Sequence, residues 1–115
     1  GVDSRKARTL KVAAAVTISG EKVSVTSIAA NAFKGMKKLE KVTIGTNVSK
    51  IGKNAFSGDS KLKSIQIKSK KLTSVGKGAL KNISAKAVIK VPKSKKKAYT
   101  SLLKGKGQKK SVKIK

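Results

Sequence analysis

Neither cysteine nor histidine occurs in the 115 residues. Their absence removes disulfides, thiol chemistry and the usual transition-metal ligands together, so no metal and no cofactor is expected. Tryptophan is absent too, and Phe33, Phe56 and Tyr99 are the only aromatics. A core must then be built from Val, Ile, Leu and Ala, which suits thin stacked layers better than a globule closed around large rings. No apolar run approaches the roughly 18 residues of a membrane-spanning helix, and no charged-then-apolar leader stands at the start.

Acids are nearly missing: Asp3, Glu21, Glu40 and Asp59 face 30 basic residues, for a net charge of +26. All four acids lie in residues 1–59, where eleven cations leave +7, while residues 60–115 carry nineteen cations, no acid and +19. Only Arg5 and Arg8 are arginines. The rest is lysine, a hydrated point charge without the planar fork that reads guanine or grips carboxylates in pairs.

What is present is a pattern of one branched apolar residue, one polar residue and another branched apolar residue, found five times. It reads Val16-Thr17-Ile18, Val42-Thr43-Ile44, Ile65-Gln66-Ile67, Ile89-Lys90-Val91 and Val112-Lys113-Ile114. The first members stand 26, 23, 24 and 23 residues apart. Alternation with β-branched residues predicts strands with one buried face, stacked as about five parallel rungs of one sheet. A period in the low twenties fits one strand plus a return segment, the geometry of a solenoid.

Two complete repeats align without a gap. Val25, Ile28, Asn31, Ala32, Phe33, Gly35, Leu39, Val42 and Ile44 fall on Val48, Ile51, Asn54, Ala55, Phe56, Gly58, Leu62, Ile65 and Ile67. A third copy keeps Leu72, Val75, Ala79, Leu80, Ile89 and Val91, with Gly78 in place of the Asn and Lys86 in place of the Leu. Within each copy Val-x-x-Ile predicts a second short strand. Asn-Ala-Phe-x-Gly predicts a tight turn with the Phe inward, the Asn side chain satisfying nearby backbone.

The ends differ. Residues 1–9 have no periodicity and read as a disordered lead-in, and residues 10–24 hold two alternating runs around Ser19-Gly20 that predict a hairpin cap. After Pro92, Ser94 is placed to cap a short helix over 95–104, with Ala98, Tyr99, Leu102 and Leu103 as its apolar stripe and Gly105 at its end. That helix replaces the return half of a last coil, and Val112 and Ile114, 23 residues beyond Ile89 and Val91, close the sheet. Residues 10–115 are thus one domain: cap 10–24, repeats 25–91 and cap 92–115.

The repeats 25–47 and 48–71, with their Ile-x-x-Asn-Ala-Phe-x-Gly core and Leu-x-x-Val/Ile-x-Ile strand, resemble BspA-type leucine-rich repeats. The Cys often found after the Phe-x-Gly step of that family is replaced here by Met36, Asp59 and Ile83. The resemblance implies a mainly β, α/β-type leucine-rich-repeat solenoid, right-handed, in a secreted or cell-surface protein of Gram-positive bacteria. It implies a role in adhesion or protein interaction and brings no catalytic residues. The lack of cysteine fits an exported bacterial chain.

No pair of residues has the spacing of a nucleophile and its base, and Gly76-Lys77-Gly78 and Gly105-Lys106-Gly107 lack the rest of a phosphate-loop signature, so no enzyme is expected. If the rung apolar residues face the core, their polar neighbours face solvent. The expected ligand face is Thr17, Lys41, Thr43, Ser64, Gln66, Lys90 and Lys113, with Lys90 and Lys113 adjacent at its cationic end. Lys93, Lys95, Lys96, Lys97, Lys104, Lys106, Lys109 and Lys110 form a polybasic cap. The expected partner is a protein or an anionic cell-wall or host-surface polymer such as teichoic acid or sulfated glycan. Nucleic acid is expected to bind only nonspecifically, and no small-molecule substrate, membrane insertion or oligomer is expected.

Overall fold

A computed structural model describes residues 9–12, 15–18 and 21–115. Its ten strands are β1 (Thr9–Val12), β2 (Ala15–Ile18), β3 (Glu21–Ser24), β4 (Ser27–Ile28), β5 (Lys41–Ile44), β6 (Lys50–Ile51), β7 (Ser64–Ile67), β8 (Ser74–Val75), β9 (Val88–Lys90) and β10 (Lys113–Ile114). A 3₁₀ turn (Lys93–Lys95) leads into one helix, α1 (Lys96–Leu103). The strands form a five-stranded sheet in the order β1-β5-β7-β9-β10, a three-stranded sheet β4-β6-β8 and the hairpin β2-β3. Both larger sheets are parallel throughout.

Each coil alternates between the sheets: β5 runs into β6, and β6 into β7. Strand registers repeat the sequence alignment, Val42 beside Ile65 and Ile65 beside Ile89. On β5 and β7 the apolar pair is buried and the intervening residue is not. Ile28, Ile51 and Val75 close the core from the short sheet. Phe33 stacks on Phe56 with ring centroids 5.7 Å apart and planes 18° apart.

The tight turns rest on two left-handed positions per coil. The first is filled by Asn31, Asn54 and Gly78, the second by Gly35, Gly58 and Asn82, with φ between 56° and 80° in all six. Asn and Gly exchange in both directions because these residues adopt positive φ at low cost. Elsewhere the coils simply touch. A Cβ on Gly52 would stand 2.4 Å from Ala30 N, and one on Gly76 2.3 Å from Lys53 N.

The N-terminal rung differs from the expectation. The strand beside β5 is Thr9–Val12, with Leu10 against Val42 and Val12 against Ile44. Val16, Thr17 and Ile18 belong to the hairpin, where Thr17 pairs with Lys22 and Ile18 with Glu21. The expected hairpin is present and takes up Val16 to Ile18, which leaves the rung to the earlier alternating pair. The lead-in expected over 1–9 loses Thr9 to β1, and the rest of it lies outside the described residues.

At the other end the helix begins at Lys96, and its N-cap is Lys95 with no side-chain hydrogen bond, so Ser94 does not cap it. The 3₁₀ turn after Pro92 takes the place of a cap box, its Lys95 N donating to Pro92 O at 2.9 Å. Gly105 follows the extended C-cap Lys104 with φ 70°, as expected. Tyr99 and Leu103 are buried, Leu102 is half-buried and Ala98 is exposed. The fifth rung is present but shifted: Ile114 lies beside Ile89, and Lys113 beside Val88. A constant period fails there because a helical residue advances the chain about 1.5 Å and an extended one about 3.3 Å, so a coil returning through a helix need not match the others in length.

Candidate functional site

The outward side of the five-stranded sheet is built by strict alternation. Its first row is Lys41, Ser64, Val88 and Lys113, and its second is Thr43, Gln66 and Lys90, with Lys11 at the register position beside Thr43. Neighbouring positions in a row are about 4.8 Å apart. Lys41, Gln66, Lys90 and Lys113 are exposed, and Thr43 and Ser64 are half-buried. Six of the seven expected face residues therefore share the sheet, and Thr17 does not.

The shift of β10 separates Lys113 from Lys90 by a row. Lys115 comes up to Lys90 instead, its N–H donating to Ile89 O at 2.8 Å as Lys68 N donates to Ile44 O at 3.0 Å two coils earlier. Lys68 and Lys115 are the residues that the sequence pattern missed, because they follow the rung triplets rather than stand inside them. Together with Gln66, Lys90, Ile67, Val91 and Pro92 they line an open hollow of about 390 Å³ at the edge where the strands leave the sheet.

Side-chain charge around this hollow is one-sided. Among the described side chains the carboxylates are Glu40 and Asp59. Glu40 lies just before β5, at the opposite edge, with one oxygen 3.4 Å from Lys63 Nζ. The length of a four-residue strand, about 13 Å, separates the two edges, more than the screening length of about 8 Å at physiological ionic strength.

Asp59 is fully buried and belongs to the core. It replaces an apolar residue in the column Met36, Asp59, Ile83. One carboxyl oxygen accepts a 2.7 Å hydrogen bond from Met36 N, and the other has no partner. Burial pushes its pKa up to about 7, against the lowering effect of the Met36 and Gly35 N–H groups.

The polybasic residues sit on the C-terminal cap. Lys93, Lys96, Lys97, Lys104, Lys109 and Lys110 are exposed, while Lys95 and Lys106 are half-buried. Lys106 has a backbone role: its carbonyl accepts from Leu80 N at 2.9 Å, the bond that Ala55 and Ala79 make to Phe33 and Phe56 in the preceding coils. Lys104, Lys109 and Lys110 rim a second hollow of about 380 Å³ over Val112 and Ile114. No group of three or more metal-binding side chains occurs among the described residues. No helix among them is long and apolar enough to cross a membrane.

The BspA type leucine-rich repeat region matches residues 14–115 in six copies. The chain belongs to the BspA-type leucine-rich-repeat family. Both parallel sheets, the short return strands and the single helix are those of a small leucine-rich-repeat solenoid. Its fold is similar to the crystal structure of a leucine rich cell surface protein from Faecalibacterium prausnitzii, with a TM-score of 0.62 and 21% sequence identity. That likeness covers 76% of this chain and 30% of the other, so the leucine-rich-repeat chain spans about a third of its structural neighbour. No curated protein matches it.

Proposed function

We propose that this BspA-type solenoid is a nonenzymatic interaction module of a secreted or cell-surface bacterial protein, acting in adhesion. The observation that carries the reading is the outward face of the five-stranded sheet, where exposed lysine and amide groups alternate with half-buried hydroxyls and no other element among the described residues covers them. Regular strands hold these groups at fixed spacing, and such a surface binds without losing much conformational freedom. Family membership supports the role of a repeat module, and the cell-surface neighbour supports the compartment. The partner is a protein or an anionic surface polymer, met by a monomer of this chain.

The charge favours a second reading, in which a polycation associates with teichoic acid, sulfated glycan or nucleic acid without regard to position. One experiment separates the two. The intact chain is immobilised, and binding of a purified mucin, an extracellular-matrix glycoprotein and isolated bacterial wall is recorded at 0.15 and 0.5 M NaCl. The face reading expects a partner retained at the higher salt and lost on Thr43→Trp or Ser64→Trp, but kept with Ser74→Trp on the short sheet. Binding that collapses with salt and ignores all three substitutions supports the polycation and sinks the face.

A further inference from the structure

We propose that the hollow at the exit edge of the long sheet is a binding site for a sulfated sugar, its ester group held by Lys68, Lys90 and Lys115. The proposal rests on the face reading above and names a ligand class for one end of that face. Three features lead to it.

The first is convergence of charge. Lys90 lies on β9, Lys68 follows β7 and Lys115 follows β10, so three neighbouring parallel strands each place one lysine in the lining of the same hollow. Three separate ammonium groups can each meet one outer oxygen of a tetrahedral ester, whereas a planar carboxylate is the natural partner of an arginine fork. All three lysines are exposed, and the one described ion pair engages Lys63 at the far edge. No described side-chain carboxylate pairs with them, and bringing the three ammonium groups together has a repulsive cost.

The second is the wall beside the charge. Val91 and Pro92 form a half-buried apolar side, and Gln66 places an amide on the floor next to Lys90 in the same row. A sugar ring offers an apolar C–H side, hydroxyls for the amide and an ester for the cations. A linear polyol phosphate would leave the Val91 and Pro92 wall unused. The third is size: about 390 Å³ lies within the roughly 300–1,000 Å³ typical of small-ligand sites, enough for a ring and its ester. The cap hollow lacks this combination, having lysines around an apolar floor but no convergent strands.

The test is a titration of the full chain, followed by amide NMR at 0.15 M NaCl. Four probes are used: a sulfated disaccharide, its unsulfated parent, inorganic sulfate and a glycerol phosphate oligomer. The expected result is saturable shifts at Gln66, Lys90, Val91 and Lys115 with the sulfated disaccharide, and affinity at least tenfold weaker for the other three. Lys90→Gln should weaken the sulfated probe about tenfold, the loss of one charge-assisted hydrogen bond. Replacing Lys95, Lys96 and Lys97 together by Gln removes three charges on the cap and should change it less than twofold. Unchanged melting of the Lys90 variant shows that its fold is intact. Equal affinity for glycerol phosphate, shifts spread over the whole surface, or a larger effect from the triple variant each overturn the proposal. Its failure is distinct from failure of the face reading. If the sulfated probe does not bind here while Thr43→Trp still abolishes a macromolecular partner, only the ligand class is lost. If the probe binds here and Thr43→Trp does nothing, the sugar site stands without the face.

Discussion

The Tyr99 hydroxyl donates a 2.8 Å hydrogen bond to the carbonyl oxygen of Ser69, thirty residues earlier and on another coil. The same hydroxyl accepts from Leu72 N at 3.0 Å, and Ser69 Oγ donates at 2.6 Å to Val48 O one coil further back. The only tyrosine thus ties α1 to the turn before β8 and, through Ser69, to the preceding repeat. Tyr99→Phe keeps the ring and orphans a buried N–H and a carbonyl. It should cost about 1–3 kcal/mol in denaturant unfolding, and Tyr99→Ala should cost about 3–5 kcal/mol. A Phe variant as stable as the parent would show that water replaces the hydroxyl.

Asp59 should make stability depend on pH in an unusual direction. Its folded pKa of about 7 lies above the unfolded value of 3.8, so between these limits the folded chain holds the proton more tightly. Stability is then highest below about pH 4, falls as pH rises to about 7 and levels off once the carboxylate is charged in both states. The full change is at most on the order of 4 kcal/mol. Asp59→Asn should lose this slope while keeping an acceptor for Met36 N, as measured by urea unfolding at pH 4.5, 6 and 8. Parallel curves for parent and variant would mean that the carboxyl reaches solvent.

The stacked phenylalanines are unequal. Phe56 has a coil on each side and is fully buried, whereas Phe33 is half-buried. Phe56→Ala should cost on the order of 3 kcal/mol or more and Phe33→Ala less, measured by denaturant midpoint at constant slope. If Phe33→Ala proves the costlier, the ring stack and not burial dominates.

Asn82 isolates the backbone requirement, because it is exposed and holds φ 59°. Asn82→Gly should leave stability within about 0.5 kcal/mol, and Asn82→Val should cost about 1–2 kcal/mol with no buried contact changed. Equal effects of the two would place the Asn side chain, not its φ, in control.

Much of this architecture is visible in the order of residues because the coils enforce it. Val42, Ile65 and Ile89 must occupy one row or no core forms, so their spacing carries the register directly. The exchange of Asn54 for Gly78, and of Gly58 for Asn82, also states in the sequence that the position needs positive φ. It is easily taken for repeat decay. What periodicity could not show lies where the return path changes. The helical last coil slid Lys113 away from Lys90 and brought Lys115 there, and the hairpin left the first rung to Leu10 and Val12. Lys68 was hidden for a different reason: it stands one residue past the triplet, at a position the pattern treats as turn. Asp59, marked only as a departure from the family's Cys, gave no sign of being fully enclosed.

Gly52 and Gly76 meet the backbone of the coil before them so closely that a methyl group has no room, while Ala29 holds the matching place in the first repeat. The coil therefore has a direction: the missing side chain marks the surface that receives a predecessor. A block such as residues 48–71 carries a complete receiving surface and a complete presenting one. Copied once in tandem, it should slot between its neighbours and lengthen the long sheet by one strand, about 4.8 Å. Length in such an array is then a matter of copy number alone, and a longer face could be reached by duplication without inventing any new contact.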